Sequence, residues 1–364
     1  LKAYERLKER LYFIDIVRAF AILMMLQGHF IDTLLESSYR NLNSETYRLW
    51  SFFRGITAPT FFTISGLIFT YLLLRAKEKG LENLRMKKGI SRGVSLIAIG
   101  YFIRINFLNL LSGKLNPSFF ATDVLHCIGL SLLLTIAVFF LCRKNVFAFS
   151  ILTLVIGSLI FVLEPLYRAL QIEGVPIFIH NYISRAHGSV FRIIPWYGYS
   201  AMGSFLATLF YWNLHKKYFK TSIVSLFVLF GLFFILYSSE VLVKLFEITD
   251  INVFKDAANY NYLFTKLGYV LLYFALFYSL ESYLKHPVLL KIGKKTLSIY
   301  ILHFVLLYGS FVGIGLNRII GKTLTPWQAT FGALFFITVV CFISFHYAKT
   351  NAFLYKHLRS LFKK

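Results

Sequence analysis

The chain has 364 residues, of which 57% are hydrophobic, 18% aromatic and only 15% charged, with a mean hydropathy of +0.66. Soluble globular proteins average about 25% charged residues, so this chain has too little polar surface for a water-soluble particle. The same composition excludes intrinsic disorder and a nucleic-acid-binding module. Its three cysteines all lie in apolar stretches and are odd in number, which excludes a disulfide framework and disfavours a zinc site. We therefore expect an integral membrane protein that binds neither nucleic acid nor a metal.

Ten apolar stretches approach the roughly 20 residues that a helix needs to cross a membrane. They are residues 11–34, 50–74, 89–111, 123–142, 146–163, 190–212, 221–246, 262–284, 292–314 and 326–349. The sequence thus predicts an all-α, polytopic integral membrane protein. We expect a single domain over residues 1–364 with about ten transmembrane helices.

The net charge of +23 is distributed unevenly between alternate connecting segments. If the N-terminus is cytoplasmic, the cytoplasmic segments hold about three times as many Lys and Arg residues as the external segments, as the positive-inside rule requires. We therefore predict that both the N- and the C-terminus are cytoplasmic. Most of the basic excess is expected to face anionic membrane lipids, and the remainder is available to an anionic cytoplasmic ligand.

Four ionisable side chains interrupt the first apolar stretch, where charged groups are costly and mark functional candidates. These residues are Asp15, Arg18, His29 and Asp32, and on a helix all four fall within roughly 100° of one face. Arg18 and His29 would be separated by a rise of about 16 Å. The stripe thus predicts a cation near the cytoplasmic side and an imidazole beyond the midplane, which suits a ligand that spans half of the bilayer.

His29 and Asp32 are three residues apart, so their side chains can meet on a helix. A carboxylate that accepts a proton from one imidazole nitrogen fixes the tautomer and raises the basicity of the other nitrogen. The pair is therefore a candidate general base. The alternative is a buried polar pair that only holds helices together, and for Asp15 with Arg18 a structural salt bridge fits equally well.

Further candidate residues lie at the cytoplasmic and external ends of the next two stretches. Arg54 is a candidate substrate contact, and it begins a segment that contains proline and glycine. This segment is either a kinked helix that faces a cavity or an interface between packed helices. Lys87, Lys88 and Arg92 surround the start of the third stretch. Clustered cations at a helix N-terminus can bind phosphates, although a plain positive-inside cluster would look the same.

The later stretches contain additional candidates. Asp123 and His126 stand three residues apart at the external entrance of the fourth stretch, where they can form a second catalytic pair or a helix cap. Four further candidates are Arg192, Trp196, Tyr197 and His303. The first three are either substrate contacts or ordinary residues of the aromatic belt at the membrane interface. His303 is either a substrate contact or a histidine of the core.

Several segments carry a family resemblance. Arg18, ten residues and then His29 is similar to the Arg/Lys-x10-His signature in the first core helix of the acyltransferase-3 family. The segment from Tyr12 to Leu34, followed by APTFFTISGLIF, resembles bacterial relatives of heparan-α-glucosaminide N-acetyltransferase. DVLHCIGLS, PWYGYSAMG and IGKKTLSIYILH resemble the same superfamily at matching points along the chain.

The resemblance implies a transmembrane acyltransferase. Its donor would be cytoplasmic acetyl-CoA or another acyl-CoA, and its acceptor an extracytoplasmic glycan or glycolipid. It further implies that His29 acts on the acceptor or carries the acyl group, and that Arg18 lies along the CoA path. The family's Arg-x-x-Arg at the third helix is matched only approximately, by Arg85-x-x-Lys88 and Lys88-x3-Arg92. A bacterial cytoplasmic membrane is implied by the resemblance alone.

Two other functions are compatible with the same polar stripe. A secondary transporter of a polar or anionic solute would also place ionisable groups within the membrane, although such proteins commonly contain inverted repeats. A noncatalytic scaffold that handles sugars or lipids is the third interpretation. Small-residue helix faces are in addition compatible with a homo-oligomer.

Overall fold

The computed structural model describes residues 11–113, 117–143, 145–168, 174–184, 189 and 191–361. Residues 1–10 and 362–364, which contribute to the predicted basic cytoplasmic anchor, lie outside these ranges, as does Lys144.

Ten principal helices follow one another along the described chain. They are α1 (Tyr12–Leu34), α2 (Glu45–Lys77), α3 (Glu82–Phe102), α4 (Val124–Cys142), α5 (Val146–Val162), α6 (Ile193–Asn213), α7 (Phe219–Leu236), α8 (Tyr262–Ser279), α9 (Thr296–Tyr308) and α10 (Pro326–Leu361). Shorter α-helices connect them, at Phe107–Leu111, Glu164–Arg168, Ile177–Ile183, Ser238–Thr249, Asn252–Asn259, Glu281–Leu284, Pro287–Lys294 and Leu316–Ile319. Two 3-10 turns lie at Ser37–Tyr39 and Pro117–Phe120. The predicted all-α class is confirmed.

Six of the described helices are long and apolar enough to cross a membrane: α1, α2, α4, α7, α8 and the Pro326–His346 part of α10. The chain is therefore a helical membrane protein, with fewer helices that meet this criterion than the ten predicted. Each predicted stretch nevertheless overlaps a helix. Among the others, α5 has 17 residues and α9 only 13, and α3 begins in a basic segment at Glu82.

Four predicted stretches are interrupted in the structure. The stretch 89–111 has residues 103–106 between α3 and the short helix Phe107–Leu111, and the stretch 262–284 divides at Leu280 between α8 and the short helix Glu281–Leu284.

The stretch 221–246 divides at Tyr237 into α7 and the short helix Ser238–Thr249. The stretch 292–314 divides at Lys295, and α9 then ends at Gly309 in the left-handed conformation, with φ of 70°. Glycine adopts this conformation without steric cost, which explains why the helix stops inside an apolar run.

The chain forms two compact units. Unit 1 comprises residues 1–57, 106–112 and 283–364, and unit 2 comprises residues 58–105 and 113–282. The boundary falls within α2, so this helix contributes its first part to unit 1 and its second part to unit 2.

In unit 1, α1 packs against α9, α10 and the short helix Pro287–Lys294. A Cβ atom at Gly293 would overlap the carbonyl oxygen of Asp15, so glycine at this position permits direct backbone contact. The ring of Phe30 packs against Phe336 of α10 with centroids 5.2 Å apart. The helix that carries the polar stripe is thus fixed by segments distant in sequence.

The contacts in unit 1 also fix the directions of three helices. Arg18 contacts Thr296 at the start of α9, and His29 contacts Tyr308 at its end, so α1 and α9 run in the same direction. Near the end of α1, the amide of Leu324, which precedes α10, donates to the carbonyl of Leu34. At the other end, Lys295 donates to the carbonyl of Ser344 on α10 at 2.8 Å. Therefore α10 runs opposite to α1 and α9.

Unit 2 is built from three helix pairs, α3 with α4, α5 with α6 and α7 with α8, together with the second part of α2. A Cβ atom at Gly66 would overlap the carbonyl of Ser200, and one at Gly203 would overlap the carbonyl of Thr63. The glycine-containing segment of α2 therefore lies in a packing interface with α6. One core cluster of buried residues consists of Phe62, Cys127, Phe161, Tyr199, Met202, Leu263 and Leu267.

Candidate functional site

His29 lies half-buried on α1 and faces α9. Its Nδ1 atom is 2.9 Å from the Oη atom of Tyr308, and the two rings meet edge-on. Thr33, one turn later on α1, donates its hydroxyl to the same Oη atom at 3.4 Å. An imidazole, a phenol and a hydroxyl thus converge, and each of these groups can both donate and accept a hydrogen bond.

His303 completes this group of residues. Its ring is fully buried, and its centroid lies 5.3 Å from that of His29 at an interplanar angle of 49°. Tyr300, on the same helix, packs edge-on against it at 4.9 Å. The sequence was compatible with His303 as a histidine of the core or as a substrate contact. In the structure its ring lies directly beside that of His29.

Asp32 has a different partner from the one that its spacing suggested. Its carboxylate forms an ion pair with the guanidinium of Arg54 on α2, and Arg40 donates to its backbone carbonyl. Charge-assisted hydrogen bonds to a guanidinium are stronger than those between neutral groups. This difference explains why Asp32 is directed to Arg54 while the Nδ1 atom of His29 meets Tyr308.

A polar cluster surrounds this ion pair, formed by Gln27, Asp32, Trp50 and Arg54. The indole nitrogen of Trp50 donates to Oε1 of Gln27 at 2.8 Å, and the guanidinium carbon of Arg54 lies 5.6 Å from the Trp50 ring centroid. The cluster therefore combines an aromatic ring with a carboxylate, a guanidinium and an amide. Sequence reasoning identified Asp32 and Arg54 from their charge but missed the two neutral members.

Arg18 lies half-buried on α1, eleven residues before His29. Its Nη2 atom donates to the hydroxyl of Thr296 at 2.7 Å. Because Thr296 and Tyr308 are the first and last residues of α9, this one helix contacts both Arg18 and His29. Arg18 and His29 thus lie on one continuous helix and contact the two ends of another.

Asp123 and His126 form a buried pair in unit 2. The Oδ1 atom of Asp123 lies 2.8 Å from Nδ1 of His126 and accepts from the amide of Leu125 at 2.9 Å. The amide of His126 also donates to this Oδ1 atom, and the amide of Asp123 donates to Nδ1 of His126 at 3.2 Å, which together form a capping box at the start of α4. Arg104 lies 3.6 Å from the other carboxylate oxygen, and the Tyr101 ring packs edge-on against the imidazole at 4.3 Å. This geometry is that of a helix cap neutralised by an arginine.

The other candidates in the sixth predicted stretch also have structural contacts. Buried Arg192 donates to the carbonyls of Tyr167 and Arg168 at 3.1 and 3.2 Å. Trp196 stacks on Phe62 with centroids 5.2 Å apart and so joins the core of unit 2, next to the buried Tyr197.

The basic residues of α3 lie in unit 2, where Lys87, Lys88 and Arg92 are exposed. Arg85 of the same helix packs its guanidinium 5.7 Å from the ring centroid of Phe69. Burial and the nearby Arg92 lower the pKa of the Arg85 guanidinium. Arg85 and Arg92 are both cations and repel each other, and a bound anion would offset this repulsion.

No group of three or more His, Cys, Asp or Glu side chains that could hold one metal ion occurs in the described ranges. The site around His29 instead offers proton donors and acceptors on two packed helices. These features define a helical membrane protein with a group of polar side chains centred on His29.

The model of the family described as heparan-alpha-glucosaminide N-acetyltransferase, catalytic, matches residues 10–245. This match covers more than half of the chain, so the protein belongs to this family of transmembrane acyltransferases. No curated protein matches the chain. Arg18 and His29 lie within the matched segment, whereas Tyr308 and His303 lie beyond it.

Proposed function

We propose that the protein transfers an acetyl group, or another acyl group, from cytoplasmic acyl-CoA to a glycan or glycolipid on the external side of the membrane. The observation that carries this proposal is His29, an imidazole held at 2.9 Å by Tyr308 on the first helix of an acetyltransferase-family chain. A positioned histidine that accepts a proton in the transition state typically accelerates a reaction by about 10²–10⁴-fold.

In the proposed reaction, an acceptor hydroxyl or amine loses its proton and attacks the thioester carbon of acyl-CoA. A new carbon–oxygen or carbon–nitrogen bond forms, the carbon–sulfur bond breaks, and CoA leaves as the thiolate. The proton is held first on His29 and finally on the CoA thiol. Asp32 supports this chemistry indirectly, through the ion pair that fixes Arg54.

We propose that Lys87, Lys88 and Arg92 bind the phosphates of acyl-CoA. Their exposure on one helix supports this assignment, because clustered cations that solvent can reach form charge-assisted contacts with phosphates. Arg18, half-buried on α1 and hydrogen-bonded to Thr296, is proposed to lie along the path of the donor.

We assign the acceptor to the polar cluster of Gln27, Asp32, Trp50 and Arg54. An aromatic ring beside charged and amide groups suits a sugar, whose apolar ring face and hydroxyl edge need both kinds of contact. We propose stabilising roles for five candidates in unit 2, because four of them have the structural contacts described above and Tyr197 is buried on α6. They are Asp123, His126, Arg192, Trp196 and Tyr197.

For the whole chain we propose a single acyltransferase domain with ten spans and both termini in the cytoplasm of a bacterial cell. The helix directions within unit 1 support this topology: α1 and α9 run together and α10 runs back, so α10 ends on the side where α1 begins. We leave the oligomeric state as a prediction from the small-residue helix faces.

Binding of acetyl-CoA to the purified protein tests the donor assignment. We expect the variant in which Lys87, Lys88 and Arg92 are all changed to Gln to bind at least about tenfold more weakly, because charge-assisted contacts are lost. Arg18→Ala should also weaken binding. A triple variant at the exposed residues Lys216, Lys217 and Lys220 is the matched control for net charge. Equal loss in the control, or no binding by the folded wild type, would contradict the assignment.

A further inference from the structure

Tyr308 has a defined hydrogen-bonding arrangement at the end of α9. A phenol has one proton to donate and two lone pairs that accept. Thr33 donates to Oη at 3.4 Å, and the Nδ1 atom of His29 lies 2.9 Å from the same oxygen. A phenol O–H is a stronger acid than the N–H of a neutral imidazole, and the imidazole nitrogen is the stronger base. The hydroxyl proton of Tyr308 is therefore directed at Nδ1.

This arrangement determines which atom can receive a proton from outside the pair. The basic Nδ1 atom of His29 is covered by the Tyr308 oxygen, so a proton that approaches from this direction must pass through that oxygen. One lone pair of Oη faces Thr33, and a phenol oxygen has a second lone pair that can accept from a substrate hydroxyl or amine. Tyr308 is half-buried, at the same level as His29.

We propose that Tyr308 is a catalytic residue that relays the acceptor's proton to His29, an inference that rests on the proposed acyl transfer. As the acceptor oxygen or nitrogen attacks the thioester carbon, its proton moves to Oη of Tyr308. The original hydroxyl proton of Tyr308 moves at the same time to Nδ1 of His29, which becomes an imidazolium. The carbon–sulfur bond breaks, and the departing thiolate finally takes up this proton, so that His29 returns to its neutral form.

The relay assigns Thr33 a positioning role, because its hydroxyl holds one lone pair of Oη and orients the phenol. The relay also explains why residues beyond the family-matched segment belong to the site: Tyr308 is carried by α9, which packs along α1 from Arg18 to His29.

Single-turnover transfer from acetyl-CoA in Tyr308→Phe tests the relay, because this variant keeps the ring and removes only the hydroxyl. We expect the transfer rate to fall by about 10²–10⁴-fold, while the dissociation constant of acetyl-CoA stays within about twofold of wild type. Tyr283→Phe is the matched control, because Tyr283 belongs to the same unit and is 85% exposed. A Tyr308→Phe rate within about threefold of wild type, with His29→Ala inactive, would overturn the relay and leave the acyl transfer standing.

The wild-type protein provides a second measurement that does not depend on the folding of any variant. Two protons move together in the relay. A plot of the single-turnover rate against the deuterium fraction of the solvent should therefore bow below the straight line that joins the rates in H₂O and D₂O. A linear dependence, or none, would overturn the relay. If wild type fails to transfer acetyl groups at all while it remains folded, the proposed function itself has failed, and the two failures are thus distinguishable.

Discussion

At the scale of the residue, solvent weakens the electrostatic attraction between the side chains of Asp32 and Arg54. The two side chains are 23% and 45% exposed. Water therefore screens the attraction, and the pair is worth about 1 kcal/mol, in the range of surface ion pairs, rather than the several kcal/mol of a buried pair. Its main contribution is positional, since it fixes Arg54 beside Trp50 in the polar cluster.

Arg54→Ala is expected to lower the free energy of unfolding by about 1 kcal/mol, since the half-buried carboxylate of Asp32 loses its counterion. Adding Asp32→Asn should recover part of this loss, because the uncompensated charge disappears. Unfolding of the purified variants in detergent measures both effects. Arg48→Ala on the same helix is the control, since its partner Glu45 is 91% exposed. Additive losses in the double variant would contradict the coupling of the two residues.

The sequence was sufficient to identify the charged members of the site and insufficient for the neutral ones. Arg18, His29 and Arg54 stand out because ionisable groups are costly in apolar helices. Tyr308 gave no such signal, since the chain has 23 tyrosines and this residue type is common in membrane helices. Which tyrosine meets His29 depends on how α9 packs against α1, and periodicity within one helix does not contain that information.

At the scale of the helices, unit 2 depends on direct backbone contact between α2 and α6. Gly66 and Gly203 lie where the carbonyls of Ser200 and Thr63 occupy the space of a side chain. Small residues at such positions let membrane helices approach closely, and dispersion contacts then stabilise the pair. The proline- and glycine-containing segment after Arg54 indicated this packing as one of two interpretations.

Gly203→Ala should destabilise the protein by about 1–3 kcal/mol, because the added methyl group overlaps the backbone of α2 and forces the helices apart. Gly28→Ala is the matched control: its Cβ would lie 3.3 Å from Cγ of Arg54, a flexible side chain that can shift. Thermal unfolding of the two variants in the same detergent compares them. Equal midpoint temperatures of unfolding for both variants would contradict direct backbone contact between α2 and α6 at Gly203.

The helical type could be predicted from hydropathy, but the helix ends could not. A hydropathy pattern depends only on which residues are apolar, so it contains no information about a change in backbone conformation inside an apolar run. The break at Tyr237 and the left-handed Gly309 both fall within such runs. The predicted stretches 221–246 and 292–314 were therefore too long for the helices α7 and α9.

At the scale of the whole molecule, the distribution of basic residues and the helix directions of unit 1 support the proposed topology with both termini in the cytoplasm. We expect Lys322→Cys, at an exposed position before α10, to react with a membrane-impermeant maleimide in intact cells. A cysteine added after Lys364 should react only after permeabilisation. The background for both variants has Cys127, Cys142 and Cys341 replaced by alanine, so that only the added thiol is labelled. The reverse labelling pattern would contradict cytoplasmic termini.

The central claim is that this membrane protein transfers acetyl groups through His29. The most direct measurement uses proteoliposomes with labelled acetyl-CoA on the cytoplasmic face and a mixture of amino sugars and neutral sugars on the opposite face. We predict acetylated sugar with wild type and with His346→Ala, a control histidine that is exposed on α10. With folded His29→Ala, the rate should be lower by at least about 10²-fold. Equal product from His29→Ala and wild type would contradict the claim.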